Sequence, residues 1–358
     1  MPRSKLAFVA VVVLAVVGAT ASVAWGKRPD RMQLNHGMRI ETVCFSVTNP
    51  ARTTSVLYGQ RFVDGPVSSR TPAVVLVHGI ASSTQNWDYT PRWSLARSLA
   101  RAGYVVISYD RLGYARSSYF DHPGGGLTLT TAVQRELLHQ LIGEVKSGDY
   151  TTSRGSNCSA PQRPSKLRNP RVAIIGHSAG GWIVAGYPGK YHDVSAMVQA
   201  DITGGAPLAT GPDTHIALDP NHPDYLVFFA TSQDCRTFDI YPPGAVRSVA
   251  NIACTPPFVD SPLGELSNIP GIYAENLALI KQIGPSIPVL LSSGDHDVIV
   301  PPATAKADLA FYRANCGCHV SQLILPDTGH LFMAHRSLPI WVHHVVHWLR
   351  EHGVSPRR

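Results

Sequence analysis

The sequence predicts an α/β chain: a mainly parallel sheet flanked by helices on both faces, with a large inserted cap. Three observations carry that expectation. There are six short, nearly continuous apolar runs, segments with helical spacing between most of them, and one long stretch that has neither. A chain of 358 residues, 44% hydrophobic and 15% charged, is long enough to bury a sizeable core and is not composed like a disordered one.

In chain order, the first segment places Arg3 and Lys5 before an apolar run from Leu6 to Val17, followed by Ala19-Thr20-Ala21 as a small-x-small cleavage site. This predicts a signal peptide over residues 1–24. Because Leu6 to Ala24 carries no charge and is about as long as a bilayer is thick, the same residues also fit a retained signal anchor. Either way the folded domain, expected over residues 36–358, is secreted or otherwise extracytoplasmic. All six cysteines (Cys44, Cys158, Cys235, Cys254, Cys316, Cys318) lie beyond that segment, and an even count outside the cytoplasm predicts disulfides. Cys235 with Cys254 is the preferred pair, whereas Cys316 and Cys318 are expected to be too close in the chain to bridge comfortably.

IETVCFSV and TTSVLYGQRFV flank the turn-forming TNPAR and predict an antiparallel hairpin opening the domain. The six buried-strand runs are AVVLV (Ala73 to Val77), YVVISY (Tyr104 to Tyr109), RVAII (Arg171 to Ile175), MVQADI (Met197 to Ile202), PVLLSS (Pro288 to Ser293) and VSQLIL (Val320 to Leu325). Helices are expected at Pro91 to Ala102, Thr130 to Lys146, Ser178 to Ala185, Ala303 to Ala314 and Leu338 to His352. Ser147 to Asn169 is polar and reads as a surface excursion. Residues 203–285, rich in Pro, Gly, Asp and aromatics, read as the cap over the carboxyl ends of the strands, the edge where open α/β sheets bind ligands.

Gly176-His177-Ser178-Ala179-Gly180 matches G-x-S-x-G between a strand and a helix. Small residues around Ser178 let the backbone turn tightly enough for the hydroxyl to stand clear, but a hydroxyl attacks only when a base takes its proton and an acid orients that base. Both are available downstream, in the order Ser, Asp, His. SSGDHDVIVP places Asp297 on the loop after one strand, and ILPDTGHLFMAH places His330 on the loop after the last. Asp295 competes with Asp297 and His335 with His330; spacing from Gly294 and to Pro301 favours Asp297, and His335 falls beyond the loop. Upstream, VVLVHGIASS ends a strand at His78-Gly79, where the backbone N-H of Ile80 is placed to join that of Ala179 as an oxyanion hole. His78, Gly79 and His177 flank this constellation as pocket-wall or supporting residues.

With these motifs assembled, the chain resembles the α/β-hydrolase superfamily, of the capped kind related to esterases and lipases, from about Ile40 onward. The resemblance implies Ser178 as nucleophile, Asp297 as orienting acid, His330 as base, and Ile80 and Ala179 as oxyanion donors. YDRLGYARSS, Tyr109 to Ser118, is similar to the D-x-R-G-x-G-x-S loop of that superfamily, with Gly113 kept and Ala115 in place of the second glycine.

The resulting expectation is an exported serine hydrolase that cleaves a carboxylic ester, or a lactone as its cyclic form, through an acyl-enzyme. An amidase, peptidase or acyltransferase on the same fold, and a non-catalytic binding protein, are the alternatives. No cofactor and no metal are implied: His343 and His347 lie four apart but without a third ligand nearby. The formal net charge of +7 is spread out, so no nucleic-acid partner is expected. The expected partner is a small ester or lipid-like substrate, and a membrane only through a retained N-terminal segment. The cap acids Asp224, Asp234, Asp239, Glu265 and Glu275 could hold a substrate amine, with nothing in the sequence to choose among them.

Overall fold

The computed structural model describes residues 37–117, 119–120, 124–158, 163–212 and 215–356; the expected signal segment lies outside the described residues. A ten-stranded sheet runs through the molecule. Its strands are β1 (Met38–Thr48), β2 (Thr54–Asp64), β3 (Ala73–Val77), β4 (Val105–Tyr109), β5 (Thr151–Ser153), β6 (Arg163–Pro164), β7 (Val172–His177), β8 (Ala196–Ala200), β9 (Val289–Gly294) and β10 (Val320–Leu325). The spatial order is β10-β9-β8-β7-β3-β4-β2-β1-β5-β6. The first six in that order are parallel, and the remaining pairings are antiparallel.

Strand alternation explains why the inner runs are apolar throughout. In β3, Val74 and Leu76 join one core with α1 (Leu95–Arg101) and α8 (Leu338–Glu351), through Leu95, Leu99, Trp341 and Val345. Ala73, Val75 and Val77 join the opposite core with α2 (Thr131–Ser147), α3 (Ala179–Ala185) and α7 (Pro302–Asn315), through Leu138, Ile142, Ile183 and Tyr312. Because both faces are covered, an inner strand has no solvent side on which to place a polar residue.

The opening hairpin forms as expected, with an eleven-residue register from Met38↔Asp64 to Thr48↔Thr54. Two expectations about secondary structure are corrected. The polar excursion at Ser147 to Asn169 is not only surface: β5 pairs with β1, and β6 with β5. These strands are two or three residues long and sit at the sheet edge, where no apolar run is required, so hydrophobic periodicity does not reveal them. The helix expected from Pro91 starts only at Leu95, where Ser94 Oγ accepts the N-H of Arg97 as the N-cap. Trp93–Ser94 pairs with Asp88–Thr90 instead.

Disulfides join Cys44 to Cys158, Cys235 to Cys254, and Cys316 to Cys318. The second is the expected pair. The third corrects the argument from closeness: Cys316 leaves α7 in an extended conformation (φ −104°, ψ 142°), and Gly317 adds no side chain between the two. Their Cα atoms stand 5.2 Å apart, within the usual disulfide range of about 4.4–6.8 Å.

The long insertion contains three short antiparallel strands (Ala217–Leu218, Tyr225–Val227, Ser261–Pro262) and the helices α4 (Ser232–Asp239), α5 (Arg247–Ala253) and α6 (Ile269–Ile280). Among the described residues no helix is long and apolar enough to cross a membrane.

Candidate active site

Ser178 occupies the turn between β7 and α3 with φ 54° and ψ −130°, a backbone conformation that non-glycine residues rarely adopt. The turn is held by Ser178 N-H donating to Ala200 O at 3.0 Å and by Gly181 N-H donating to Ser178 O at 2.7 Å. The surrounding glycines are required by contact. A Cβ on Gly180 would lie 2.2 Å from Val77 O, one on Gly176 would lie 2.3 Å from Gly180 O, and one on Gly79 would lie 2.8 Å from Ser178 Cβ. The His78-Gly79-Ile80 loop therefore packs directly against Ser178.

His330, on the loop after β10, has Nε2 2.9 Å from Ser178 Oγ and Nδ1 3.0 Å from Asp297 Oδ2. The arrangement fits an Nδ1-H that donates to the carboxylate and leaves Nε2 free to accept the serine proton. The other oxygen of Asp297 accepts the N-H groups of Ile299 (2.9 Å) and Val300 (3.0 Å). Burial works to raise the Asp297 pKa, but the charge and hydrogen bond of His330 and these two amides bring it below the ordinary carboxylate value. Burial likewise works to lower the His330 pKa, and the charge and hydrogen bond of Asp297, with the charge of Asp239, raise it above the ordinary imidazole value.

The two competitors are placed elsewhere. Asp295 Oδ1 accepts the N-H of Thr328 at 3.1 Å and has no bond to His330. His335 Nε2 accepts the N-H groups of Tyr241 and Gly329, while its Nδ1 lies 2.9 Å from Leu331 O, so it ties the insertion to the loop that carries His330. His177 Nε2 lies 2.9 Å from the His330 carbonyl, and burial lowers its pKa to about 3, which keeps it neutral.

Among the described residues, the amide N-H groups of Ile80 and Ala179 have no protein acceptor. Ile80 N-H is aimed by its own peptide plane. The carbonyl of that peptide, Gly79 O, accepts from Arg111 Nη2 at 2.9 Å and lies 2.8 Å from His78 Nδ1, and in a trans peptide the N-H points the opposite way. His78 Nε2 in turn accepts the N-H of Arg111 at 3.0 Å, and Arg111 Nη1 meets Glu265 Oε1 at 2.5 Å in a fully buried ion pair. Arg111 was not singled out from the sequence, and Glu265 was named there only among the cap acids that could hold a substrate amine, whereas it is paired with Arg111. The arginine lies in the YDRLGYARSS motif, whose loop keeps left-handed backbone at both Gly113 (φ 85°) and Ala115 (φ 43°). Asp201 was also missed: it is fully buried beside Asp297, and burial first, then the Asp297 charge, hold its carboxyl pKa well above the ordinary value, which favours the protonated form.

A cavity of about 260 Å³ opens above Ser178 at the carboxyl ends of the strands. Its walls include Ile80, Ala179, Trp182, Phe229, Phe238 and Ile299, with Ser178 and His330 exposed to its interior.

No curated protein matches the chain in sequence. Solved structures share its fold. A monoacylglycerol lipase from Paleococcus ferrophilus superposes with a TM-score of 0.54 at 16% identity, covering 83% of this chain and 99% of the lipase. A thermophilic esterase from Thermogutta terrifontis gives 0.53 at 16% identity, with 86% and 98% covered. The 2-hydroxy-6-oxo-6-phenylhexa-2,4-dienoate hydrolase of Rhodococcus sp. strain RHA1 gives 0.52 at 16%, with 88% and 99% covered. The sequence profile of the alpha/beta hydrolase family matches residues 74–339, a span that runs from β3 into α8 and includes Ser178, Asp297 and His330. On that match, and on a sheet and turn built as described, the chain belongs to the alpha/beta hydrolase family.

Proposed function

We propose that the protein is an exported serine hydrolase that cleaves a carboxylic ester, linear or lactone, through an acyl-enzyme on Ser178. The observation that carries this reading is the hydrogen-bonded line Ser178–His330–Asp297 at the floor of an apolar cavity. Export is supported by the three disulfides and by the charged-then-apolar N-terminal residues.

In the proposed reaction His330 Nε2 takes the Ser178 proton as Oγ attacks the carbonyl carbon. The resulting oxyanion accepts the N-H groups of Ile80 and Ala179, each such donor being worth about 10²- to 10³-fold in rate. His330 then gives its proton to the leaving alcohol. Water enters and adds to the acyl carbon as His330 takes a proton from it; His330 returns that proton to Ser178 Oγ as the C–Oγ bond breaks and the acid is released. Asp297 keeps the imidazole in the tautomer this requires and stabilises the imidazolium, while Asp201, protonated, adds no second charge beside it.

The test is a substrate panel of p-nitrophenyl esters of short and long acids, lactones and peptide anilides. Turnover of esters or lactones well above that of anilides is the expected result. Anilide cleavage alone would replace the ester reading with the amidase one, and a folded protein that turns over none of the panel would contradict it.

A further inference from the structure

Of the five cap acids named from the sequence, four already have partners. Asp224 accepts the N-H of Gly126; Asp234 caps α4 through Thr231 and meets His215 at 2.7 Å; Glu265 pairs with Arg111; and Glu275 meets Arg135 at 2.6 Å. Asp239 differs. It lines the cavity above Ser178, and no hydrogen-bond donor among the described residues reaches its carboxylate. The one side-chain contact made to it among the described residues, Cys235 Sγ at 3.7 Å, comes from a sulfur oxidised in a disulfide with no hydrogen to give, and the Tyr89 phenol, in the same cavity and within reach of the Asp239 charge, makes no hydrogen bond to it.

Its position is costly in two ways. An unpaired carboxylate on an apolar wall forgoes hydration, and Asp239 is the last residue of α4, where the negative end of the helix dipole disfavours an anion. Both costs fall when a cation is bound there. Beside it stand aromatic rings that also favour a cation: Phe228, Phe229 and Phe238 pack against one another with centroids 4.9 to 5.8 Å apart. Phe238 meets the His330 ring edge-on at 5.1 Å, so this wall adjoins the reacting atoms.

We propose that Asp239 and the Phe228–Phe229–Phe238 wall form a subsite for a protonated amine, so that the preferred ester carries an ammonium group close to its scissile carbonyl. This rests on the reading of Ser178 as the nucleophile of an ester hydrolase and names the substrate class for that site. An ammonium N-H gives Asp239 the charge-assisted donor that the protein withholds. A neutral hydroxyl would satisfy the hydrogen bond and leave the charge unbalanced.

Two pairs of esters, equal in shape and differing in charge, test this. 2-(Dimethylamino)ethyl butanoate against 3-methylbutyl butanoate places the amine on the alcohol side. Ethyl 4-(dimethylamino)butanoate against ethyl 5-methylhexanoate places it on the acyl side. The assay runs at pH 8, above the value of about 7 to which burial pushes the Asp239 carboxyl. In at least one pair the wild-type protein is expected to favour the amine in kcat/KM by roughly 10- to 100-fold, the scale of a hydrogen bond to a charged group. Asp239→Asn is expected to bring that ratio to about one. The ratio within a pair cancels any general loss of activity. For a variant too slow to assay by turnover, the labelling rates of Ser178 by the matching amine-bearing and neutral phosphonates give the same comparison. Wild-type ratios near one in both pairs, or a ratio that survives Asp239→Asn, would overturn the proposal. If neutral and charged esters alike are untouched, the ester-hydrolase reading fails and the subsite falls with it.

Discussion

The strand ends that carry Ser178, Asp297 and His330 and the insertion that covers them are held in place by different means. At the strand ends the sheet itself fixes geometry: Ser178 is tied to Ala200 across neighbouring strands, and Asp297 to the amides that follow it. The insertion has little sheet of its own and is held by fastenings. A disulfide joins α4 to α5, Leu331 N-H donates to Asp239 O, Val246 N-H donates to Ala334 O, and Ala245 bridges His335. The difference assigns labour. Under the proposed function, chemistry falls where the sheet fixes the backbone, and selectivity falls where a fastened, irregular segment meets the cavity.

Substitutions should therefore separate by region. At the strand ends, Ser178→Ala should lower kcat by about 10⁶ with little change in melting temperature, and Asp297→Asn by about 10⁴. Steady-state kinetics beside thermal unfolding checks both, and a large loss of stability in either variant would blur the division. In the insertion the order reverses. Replacing Cys235 and Cys254 together by serine should cost about 3 kcal/mol in denaturant unfolding, from the 19-residue separation that the bridge spans, and should raise KM more than it lowers kcat.

The pH profile sharpens the same comparison. Attack needs neutral His330, and the pKa of the His330–Asp297 pair is raised in its imidazole step, so kcat/KM should fall as the pH drops through an apparent pKa above 6.5. Removing the Asp239 charge by Asp239→Asn takes away one of the raising influences and should move that inflection to lower pH. The smallest effect is expected at Ala115, where a residue with a Cβ holds φ 43°. Ala115→Gly should stabilise the fold by about 1 kcal/mol or less, since relief of left-handed strain is partly offset by the extra entropy of glycine when unfolded.

How much of this was legible in the sequence follows the same line between the regions. Five of the six parallel strands were readable because burial on both faces leaves a continuous apolar signature; β10, at the sheet edge and mostly half-buried, was readable only from its mixed run VSQLIL. Ser178, Asp297 and His330 were readable because each lies a fixed short step beyond a strand end. The edge strands β5 and β6 were not, since two or three polar residues carry no period. Nor could the sequence show that Arg111 and Glu265, far apart in the chain, meet to aim the Ile80 N-H, or that Asp239 alone of the five cap acids singled out lacks a donor. Such facts depend on which partners the fold brings within reach. His335 shows this most plainly: a histidine five residues past His330 is also built into the site's support, yet both of its nitrogens face backbone groups and none faces Ser178.

The central claim is that Ser178, uniquely activated by His330, is the nucleophile. Treating the purified protein with a fluorophosphonate and measuring intact mass and peptide masses tests it most directly. The account predicts one adduct per chain, on the peptide containing Ser178, with labelling that slows sharply in a folded His330→Ala variant. A folded wild-type protein that takes up no adduct, or that carries it on another residue, would contradict the account.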